Sequence, residues 1–528
     1  MNPKALLIYL LLFLASPSLV EAQELFYVFL DEKESADTFD PYSYFDEKAL
    51  ERRIRERIPL FDERDLPLKE SYKRCLTELG VELRHDLRWF NAISIKAWPD
   101  QAEQIAHLAF VKRIEAIEGA FYPSKEEKLL AGKLDTLLSL NRDQVKFDQL
   151  EKAGLNGNGV RVAIFDTGFK GANKHEAFEH LRAKNKIKDI WNFYDQNDEV
   201  YSHDDHGTQV LSSIAGKFGK RNLGAAPEAE FLLARTEHKS KEKAIEEDHW
   251  LAAVEWADKK GADIINSSLT YTSKRYEYAD MDGKKTLASR AAKIASDKGM
   301  LVVVSMGNDG GNKWKYLGAP ADVPEVLSVA ASMSMMPTRL KFSSFGPNAK
   351  GQTKPDIAAP GFVVVADGKG KYSISAGTSF SSPMVVGFAA CLMQRNPEAS
   401  RKEIWEEVRQ SGHYFPYYDY ELGYGVIQAS KLFAQDSLIQ NTFSVDERSD
   451  SVFVAFNPEL MQDSTNFPFG RLLYVHLEND AKKLEASFQE VIENRAKYFY
   501  FIRDPEFEGM LRIWFAGYLW EERVGKVE

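Results

Sequence analysis

The sequence has little cysteine, no excess of positive charge and a single long apolar run at its start. Only Cys75 and Cys391 occur in 528 residues, so the fold cannot depend on a framework of disulfides. Cys391 lies in an apolar segment, where we expect a small core residue rather than a reactive thiol. The formal net charge of −11 provides no basic surface for phosphate backbones, so nucleic acid is not an expected partner.

The apolar run at the N-terminus is typical of a secretion signal. It follows Lys4, covers residues 5–15 and leads to small residues up to Ala22. Because a membrane-spanning helix needs about 20 apolar residues, a membrane anchor is the weaker interpretation. We therefore expect residues 1–22 to be a signal peptide cleaved near Ala22. The mature protein should have no membrane span and should be secreted or periplasmic.

Changes of pattern along the rest of the chain predict four further parts. Apolar and aromatic residues make up 44% and 12% of the sequence, enough for a sizeable core. Residues 23–120 have the element order of a ferredoxin-like βαββαβ unit with one extra helix, and a polar linker follows at 121–140. Residues 141–436 alternate strands and helices. Residues 437–528 form a small β-rich module, in which we expect a helix at 484–492.

The alternating part predicts an α/β fold with a parallel sheet covered by helices on both faces. Continuous apolar runs without polar alternation are typical of strands buried on both sides. Ligands of such sheets bind outside the carboxyl ends of the strands. The runs lie at residues 160–165, 231–234, 263–266, 301–304 and 326–330.

Four polar residues of this part fall at predicted strand ends or helix starts. Asp166 directly follows the first run, His206 opens a helix, Asn308 follows the fourth run, and Ser379 begins an apolar helix within residues 377–383, Gly-Thr-Ser-Phe-Ser-Ser-Pro. We place the proline of this motif in the first turn of the helix, where a missing N–H is tolerated. Each signal alone also fits a turn, a helix cap or a surface cluster. Together they supply a carboxylate, a base, a nucleophile and an oxyanion donor.

Other site types fit these residues less well. Residues 203–206, His-Asp-Asp-His, could form a metal site, but they lie in one short loop without a helical i, i+4 pair. The spacing Gly-x-Gly-x-x-Gly of dinucleotide-binding proteins is absent. The order Asp, His, Ser also differs from that of α/β-hydrolases, whose serine comes first within Gly-x-Ser-x-Gly. A general base therefore remains the favoured role for His206.

Residues 140–435 resemble the subtilisin-like serine proteases, the subtilase family, through these four motifs in this order. The resemblance implies that Asp166 orients His206 and that His206 acts first as general base and then as general acid. It implies that Ser379 attacks the peptide carbonyl. Asn308 and the backbone N–H of Ser379 would bind the oxyanion.

The same resemblance implies that the substrate backbone lies as a strand between two segments of the chain. Thr270 stands where the family has glycine, and Met306 replaces a smaller residue, so both changes bear on substrate preference. The substrate-binding residues implied in this way are Ser268, Leu269, Thr270, Ser305, Met306 and Gly307.

The N-terminal unit resembles the propeptides of secreted subtilases, which implies self-cleavage between about residues 118 and 145. The expected partners are protein or peptide substrates and the chain's own propeptide. No cofactor or metal is assigned; the family often carries structural calcium, but no ligand set is identified. The sequence thus predicts a secreted serine endopeptidase made as a precursor. The main alternative is a catalytically silent subtilase-like peptide-binding protein, and an esterase is disfavoured by the order of the triad.

Overall fold

The computed structural model describes most of the chain after the predicted signal peptide. Described residues are 23–118, 134–238, 244–272, 275–433 and 441–526, except 449–450, 463–466, 468–469 and 482. The predicted signal peptide and most of the predicted cleavage region lie outside them. The chain divides into two compact units, one formed by Met1–Thr38 with Arg64–Glu118 and the other by Phe39–Glu63 with Gly119–Glu528.

Strands and helices alternate through most of the described chain. The strands are β1 (Glu24–Leu30), β2 (Glu82–Leu87), β3 (Ala92–Ala97), β4 (Val111–Ala116), β5 (Arg161–Asp166), β6 (Ile187–Asn192), β7 (Lys217–Phe218), β8 (Arg221–Asn222), β9 (Glu230–Arg235), β10 (Ile264–Ser267), β11 (Leu301–Ser305), β12 (Leu327–Ser332), β13 (Ile357–Pro360), β14 (Phe362–Ala366), β15 (Tyr372–Ala376), β16 (Phe443–Glu447), β17 (Ser451–Phe456), β18 (Leu472–Glu478), β19 (Leu484–Val491), β20 (Tyr498–Ile502), β21 (Gly509–Phe515) and β22 (Tyr518–Val524). The helices are α1 (Pro41–Tyr44), α2 (Glu47–Arg55), α3 (Glu70–Glu78), α4 (Pro99–Ala106), α5 (Leu134–Val145), α6 (Phe147–Lys152), α7 (Glu179–Ala183), α8 (His206–Ala215), α9 (Ile245–Lys259), α10 (Leu287–Asp297), α11 (Thr378–Arg395), α12 (Arg401–Gln410) and α13 (Pro458–Gln462).

The first unit is a four-stranded antiparallel sheet with two helices. Its strands lie in the order β2-β3-β1-β4, and the chain runs β1, α3, β2, β3, α4, β4. The core contains Val28, Leu76, Ile93, Ile95 and Ile105, all fully buried. The predicted ferredoxin-like βαββαβ order is confirmed.

The second unit contains a seven-stranded sheet in the order β13-β12-β11-β10-β5-β9-β6. Every pair of neighbours in it is parallel. Every residue of β5, β10 and β11 is buried. Because successive side chains of a strand point to opposite faces, both faces of these strands are covered. The predicted parallel sheet is confirmed.

The carboxyl ends of the central strands meet at one edge of this sheet. Since β5 pairs with β10, and β10 with β11, in parallel register, Asp166, Ser267 and Ser305 end neighbouring strands at that edge. The hairpin β14–β15 leads directly into α11. Of the residues selected from the sequence, Asp166 ends β5 and Asn308 follows β11 by three residues. His206 begins α8, and Ser379 is the second residue of α11.

The C-terminal module consists of two antiparallel sheets, β16-β17-β20 and β19-β18-β21-β22. The predicted helix at 484–492 is wrong, because residues 484–491 form β19 and pair with β18 from Leu472↔Val491 to Glu478↔Leu484. This sequence, Leu-Glu-Ala-Ser-Phe-Gln-Glu-Val, contains good helix formers. Pairing with a buried strand outweighs that intrinsic preference.

Cys391 lies inside the second unit, where burial raises the pKa of its thiol to about 12. Its Sγ donates to the backbone carbonyl of Ala225 at 3.3 Å, and both Cys391 and Cys75 are free thiols. The prediction of a small core residue at 391 is confirmed. No helix among the described residues is both long and apolar enough to cross a membrane.

Candidate active site

Asp166 and His206 form a buried pair at the sheet edge. Asp166 is the last residue of β5 and is fully buried, and His206 is the first residue of α8. The Nδ1 atom of His206 lies 2.7 Å from Oδ1 of Asp166, which also accepts the backbone N–H of Thr167 at 2.7 Å. A carboxylate bound to Nδ1 holds the ring in the tautomer whose Nε2 can accept a proton.

The electrostatics of Asp166 depend on its burial and on His206. Burial raises the pKa of the Asp166 carboxyl, whereas the His206 ring and the Thr167 N–H both favour the ionised form. A charge that is shielded from water in this way interacts strongly with its partner, because the effective dielectric constant is low. The carboxylate is therefore placed to stabilise a positive charge that develops on the imidazole.

Ser379 is the second residue of α11, and its side chain and backbone both contact Ser268. Its Oγ donates to the carbonyl of Ser268 at 3.3 Å, and Oγ of Ser268 donates to the carbonyl of Ser379 at 3.0 Å. The neighbouring ring of Phe380 has its centroid 5.5 Å from that of His206. These contacts bring the start of α11, the end of β10 and His206 together.

Pro383 lies in the second turn of α11, so its predicted position in the first turn is wrong. An interior proline cannot donate an N–H to the carbonyl four residues earlier, which here belongs to Ser379. Ser268 supplies that missing donor through its hydroxyl. Sequence reasoning assigned Ser268 only to substrate binding, although the spacing of Pro383 from Ser379 was a signal for a replacement donor.

Asn308 is fixed beside the start of the same helix. Its Oδ1 accepts both the backbone N–H and the hydroxyl of Thr378, each at 2.9 Å. Its Nδ2 lies on the side of Gly377, 3.5 Å from the position that a Cβ would take there. With its oxygen engaged in this way, the amide presents its N–H₂ group close to the N-terminus of α11, where backbone N–H groups favour negative charge.

The two segments predicted to bind substrate follow the neighbouring strands β10 and β11. Gly307 has φ +96°, and a Cβ added to it would lie 3.0 Å from Oγ1 of Thr270. The Thr270 side chain is partly exposed and therefore occupies space between the segments. Met306 is fully buried, so its side chain packs in the core and does not narrow the surface between the two segments.

Residues 203–205, which offered a metal site as an alternative, make separate contacts. Oδ2 of Asp204 accepts the Thr167 hydroxyl at 2.9 Å, and Oδ2 of Asp205 accepts the N–H of Gly368 at 3.0 Å. Within the described ranges, no group of three or more His, Cys, Asp or Glu side chains is arranged to hold a metal ion.

Comparison with known proteins adds independent support for the family. The sequence model described as "Subtilase family" matches residues 157–425, a range that includes all four candidate residues. The model described as "Peptidase S8 propeptide domain, Bacteroidota" matches residues 25–129.

Curated relatives and solved structures agree with these matches. The chain is 28% identical to serine protease AprX of Bacillus subtilis over 48% of this chain and 61% of that protein. It is 29% identical to a thermostable alkaline protease of Halalkalibacterium halodurans over 51% of this chain and 66% of that protein. The chain thus spans less than two thirds of both relatives.

The epidermin leader peptide processing serine protease of Staphylococcus aureus shares the fold. It has a TM-score of 0.55 and 17% identity over 77% of this chain and 98% of that structure. Since the subtilase model spans residues 157–425 of a 528-residue sequence, the chain belongs to the subtilase family.

Proposed function

We propose that this protein is an exported serine endopeptidase, made as a precursor, that hydrolyses peptide bonds through an acyl-enzyme on Ser379. The observation that carries the proposal is the buried contact of 2.7 Å between Asp166 and His206 at the edge where α11 presents Ser379. Family membership and two relatives that are named proteases support the same reaction.

In the proposed mechanism, His206 takes the hydroxyl proton of Ser379 as Oγ attacks the substrate carbonyl carbon. A hydroxyl has one proton, so Oγ must leave the carbonyl of Ser268 and donate to Nε2 of His206 in the reacting state. His206 then gives the proton to the leaving amine. A water molecule, activated by the same imidazole, hydrolyses the acyl-enzyme.

The developing oxyanion would lie between Nδ2 of Asn308 and the backbone N–H of Ser379. Both groups are held before the reaction, because Oδ1 of Asn308 is bound to Thr378 and Ser379 lies in the first turn of α11. Donors fixed in this way stabilise the charged intermediate without having to reorganise.

Replacing Asn308 tests this role. In Asn308→Ala we expect kcat for a peptide substrate to fall about 10²–10³-fold, the loss known for the equivalent asparagine of subtilisin, with little change in KM. Steady-state kinetics on a chromogenic peptide measure both constants. The matched control is Asn312→Ala, an exposed asparagine in the same loop, which should keep wild-type kcat. Equal kcat values in the two variants would show that Asn308 does not bind the oxyanion.

A silent peptide-binding protein and an esterase are the competing proposals. Both are tested by assaying the purified protein on casein and on a short-chain ester. An endopeptidase releases soluble peptides from casein at a rate that a serine-directed inhibitor abolishes. Ester hydrolysis without casein cleavage would favour the esterase, and binding of casein without cleavage of either substrate would favour the silent protein.

Export and processing complete the proposal. Residues 1–22 have the pattern of a secretion signal, and the match to a propeptide domain supports an inhibitory N-terminal part that is cleaved from the peptidase between about residues 118 and 145. The propeptide is then an intramolecular partner before cleavage. Calcium binding stays an expectation from the family, and no residue is assigned to it.

A further inference from the structure

Residues Phe39–Glu63, the N-terminal arm, belong to the same compact unit as the peptidase. The propeptide match covers residues 25–129, so the arm is part of the propeptide sequence. It carries the short helices α1 and α2, and it was predicted from sequence only as an extra helix of the βαββαβ unit. The structure instead places it against the ends of α9 and α10.

Two arginines of the arm share one buried aspartate of the peptidase. Arg52, Arg53 and Asp258 are at most 1% exposed. Nη2 of Arg53 donates to Oδ2 of Asp258 at 2.7 Å, and Nη2 of Arg52 donates to Oδ1 of the same carboxylate. Although burial opposes its ionisation, the two arginines hold the pKa of Asp258 below its usual value. Both guanidinium groups thus share one buried carboxylate.

Arg52 also binds the chain just after two helices of the peptidase. Its Nε donates to the carbonyl of Lys298, at the end of α10, at 3.1 Å. Its Nη1 donates to the carbonyl of Ala262, three residues after α9. Carbonyl groups at a helix C-terminus lack partners within the helix and carry partial negative charge, and the planar guanidinium binds one beside α10 and a loop carbonyl after α9 at the same time.

The position of Asp258 makes its negative charge depend on neighbouring cations. It lies in the last turn of α9, where the helix dipole disfavours a negative charge. Burial there disfavours it further. Two cations from the arm offset both effects, and Lys298 of the peptidase adds a smaller favourable interaction.

The backbone of the peptidase is also shaped to receive the arm. Gly261 and Gly299 have φ values of +72° and +86°, and a Cβ on Gly261 would lie 2.7 Å from Cβ of Lys48. A Cβ on Gly299 would lie 2.3 Å from Cγ of Glu56. A carboxylate oxygen of Glu56 in turn accepts the backbone N–H of Arg401, the first residue of α12, at 2.6 Å.

This contact lies at the opposite edge of the sheet from the candidate active site. The arm binds the residues just before β10 and β11, whereas Ser268 and Asn308 follow the carboxyl ends of the same strands. Four to five strand residues at about 3.3 Å each separate the two edges. The arm itself therefore does not contact the candidate active site.

We propose that the arm is a lasting structural element of the peptidase, which stays bound after the chain is cleaved between residues 118 and 145. The peptidase surface around Asp258 thus binds a segment of the same precursor, the arm, through Arg52 and Arg53. The inference goes beyond the proposed catalysis and does not require Ser379 to be reactive.

A nicked, inactive full chain tests the proposal independently of catalysis. In Ser379→Ala protein, residues 122–128 are replaced by the recognition sequence of a site-specific protease, and the chain is cut there. Size-exclusion chromatography with mass spectrometry should find both fragments in one peak. In the double variant Arg52→Met with Arg53→Met, the N-terminal fragment should dissociate at least about tenfold faster, since buried charge pairs at interfaces carry effects of this size or larger.

The matched control is Arg57→Gln, an exposed arginine of the same arm, whose fragment should dissociate at the wild-type rate. If the double variant does not fold, Arg52→Lys replaces it, because a compact ammonium lacks the planar fork whose three nitrogen atoms reach Asp258 and the two carbonyls from different positions. Separation of the wild-type fragments on the column would overturn the proposal. The proposal would also be overturned if the N-terminal fragment of the arginine variants dissociated no faster than that of Arg57→Gln.

Discussion

Ser379→Ala should lower kcat for peptide hydrolysis by about 10⁶-fold, the loss seen when subtilisin lacks its serine, and should leave the protein at precursor length. The hydroxyl is the only group removed, and its oxygen is the nucleophile of the proposed mechanism. Because the proposed cleavage between residues 118 and 145 uses the same nucleophile, processing should stop together with activity. Intact-mass measurement and a casein assay on the same preparation report both effects.

A neighbouring serine provides the control for this substitution. Ser381 lies in the same helix, is fully buried and donates to the carbonyl of Pro360 at 3.1 Å. Ser381→Ala should therefore lose about 1 kcal/mol of unfolding free energy, the usual value of one buried hydrogen bond, while it keeps activity and processing. A processed, active Ser379→Ala protein would contradict the assignment of the nucleophile.

Asp166→Asn should lower kcat by about 10⁴-fold while the fold is retained. An asparagine has nearly the same shape, but its N–H₂ group facing Nδ1 of His206 would hold the ring in the wrong tautomer. It would also remove the buried charge that stabilises the imidazolium. Kinetics on a chromogenic peptide, together with a thermal unfolding curve, distinguish loss of chemistry from loss of structure.

Asp198→Asn is the matched control, because Asp198 is an exposed carboxylate in the loop between β6 and α8. It should keep wild-type kcat. Because His206 is the base of the proposed mechanism, the residual activity of Asp166→Asn should rise at high pH, where hydroxide can assume part of that role. A decrease of kcat of less than about tenfold would show that the 2.7 Å contact with His206 is not catalytic.

The parallel sheet could be predicted because its central strands are continuous apolar runs. Residues 301–304 contain leucine followed by three valines, and β11 covers this run with one more residue. The edge strand β6, Ile187–Asn192, was missed because its sequence, Ile-Lys-Asp-Ile-Trp-Asn, forms neither a continuous apolar run nor an alternating pattern. Strand β19 was misassigned as a helix because its sequence contains good helix formers, and pairing with β18, which ends only six residues earlier at Glu478, outweighs that local preference.

The candidate site was predictable as a set of residues but not as a network. The order of Asp166, His206, Asn308 and Ser379 resembles one family, and the parallel topology explains why such distant residues meet. The hydrogen bond from Ser268 to the carbonyl of Ser379 depends on a proline four residues away, and only the folded helix makes that visible. The arm contacts residues more than 200 positions along the chain, which no local signal encodes.

Labelling with a serine-directed fluorophosphonate, followed by mass mapping of the modified peptide, tests the proposed mechanism most directly. The processed wild-type protein should carry one label on Ser379, and labelling should disappear in Ser379→Ala and become much slower in Asp166→Asn. A label that persists in Ser379→Ala, or a processed wild-type protein that takes up none, would contradict the proposal that Ser379 is the activated nucleophile of this chain.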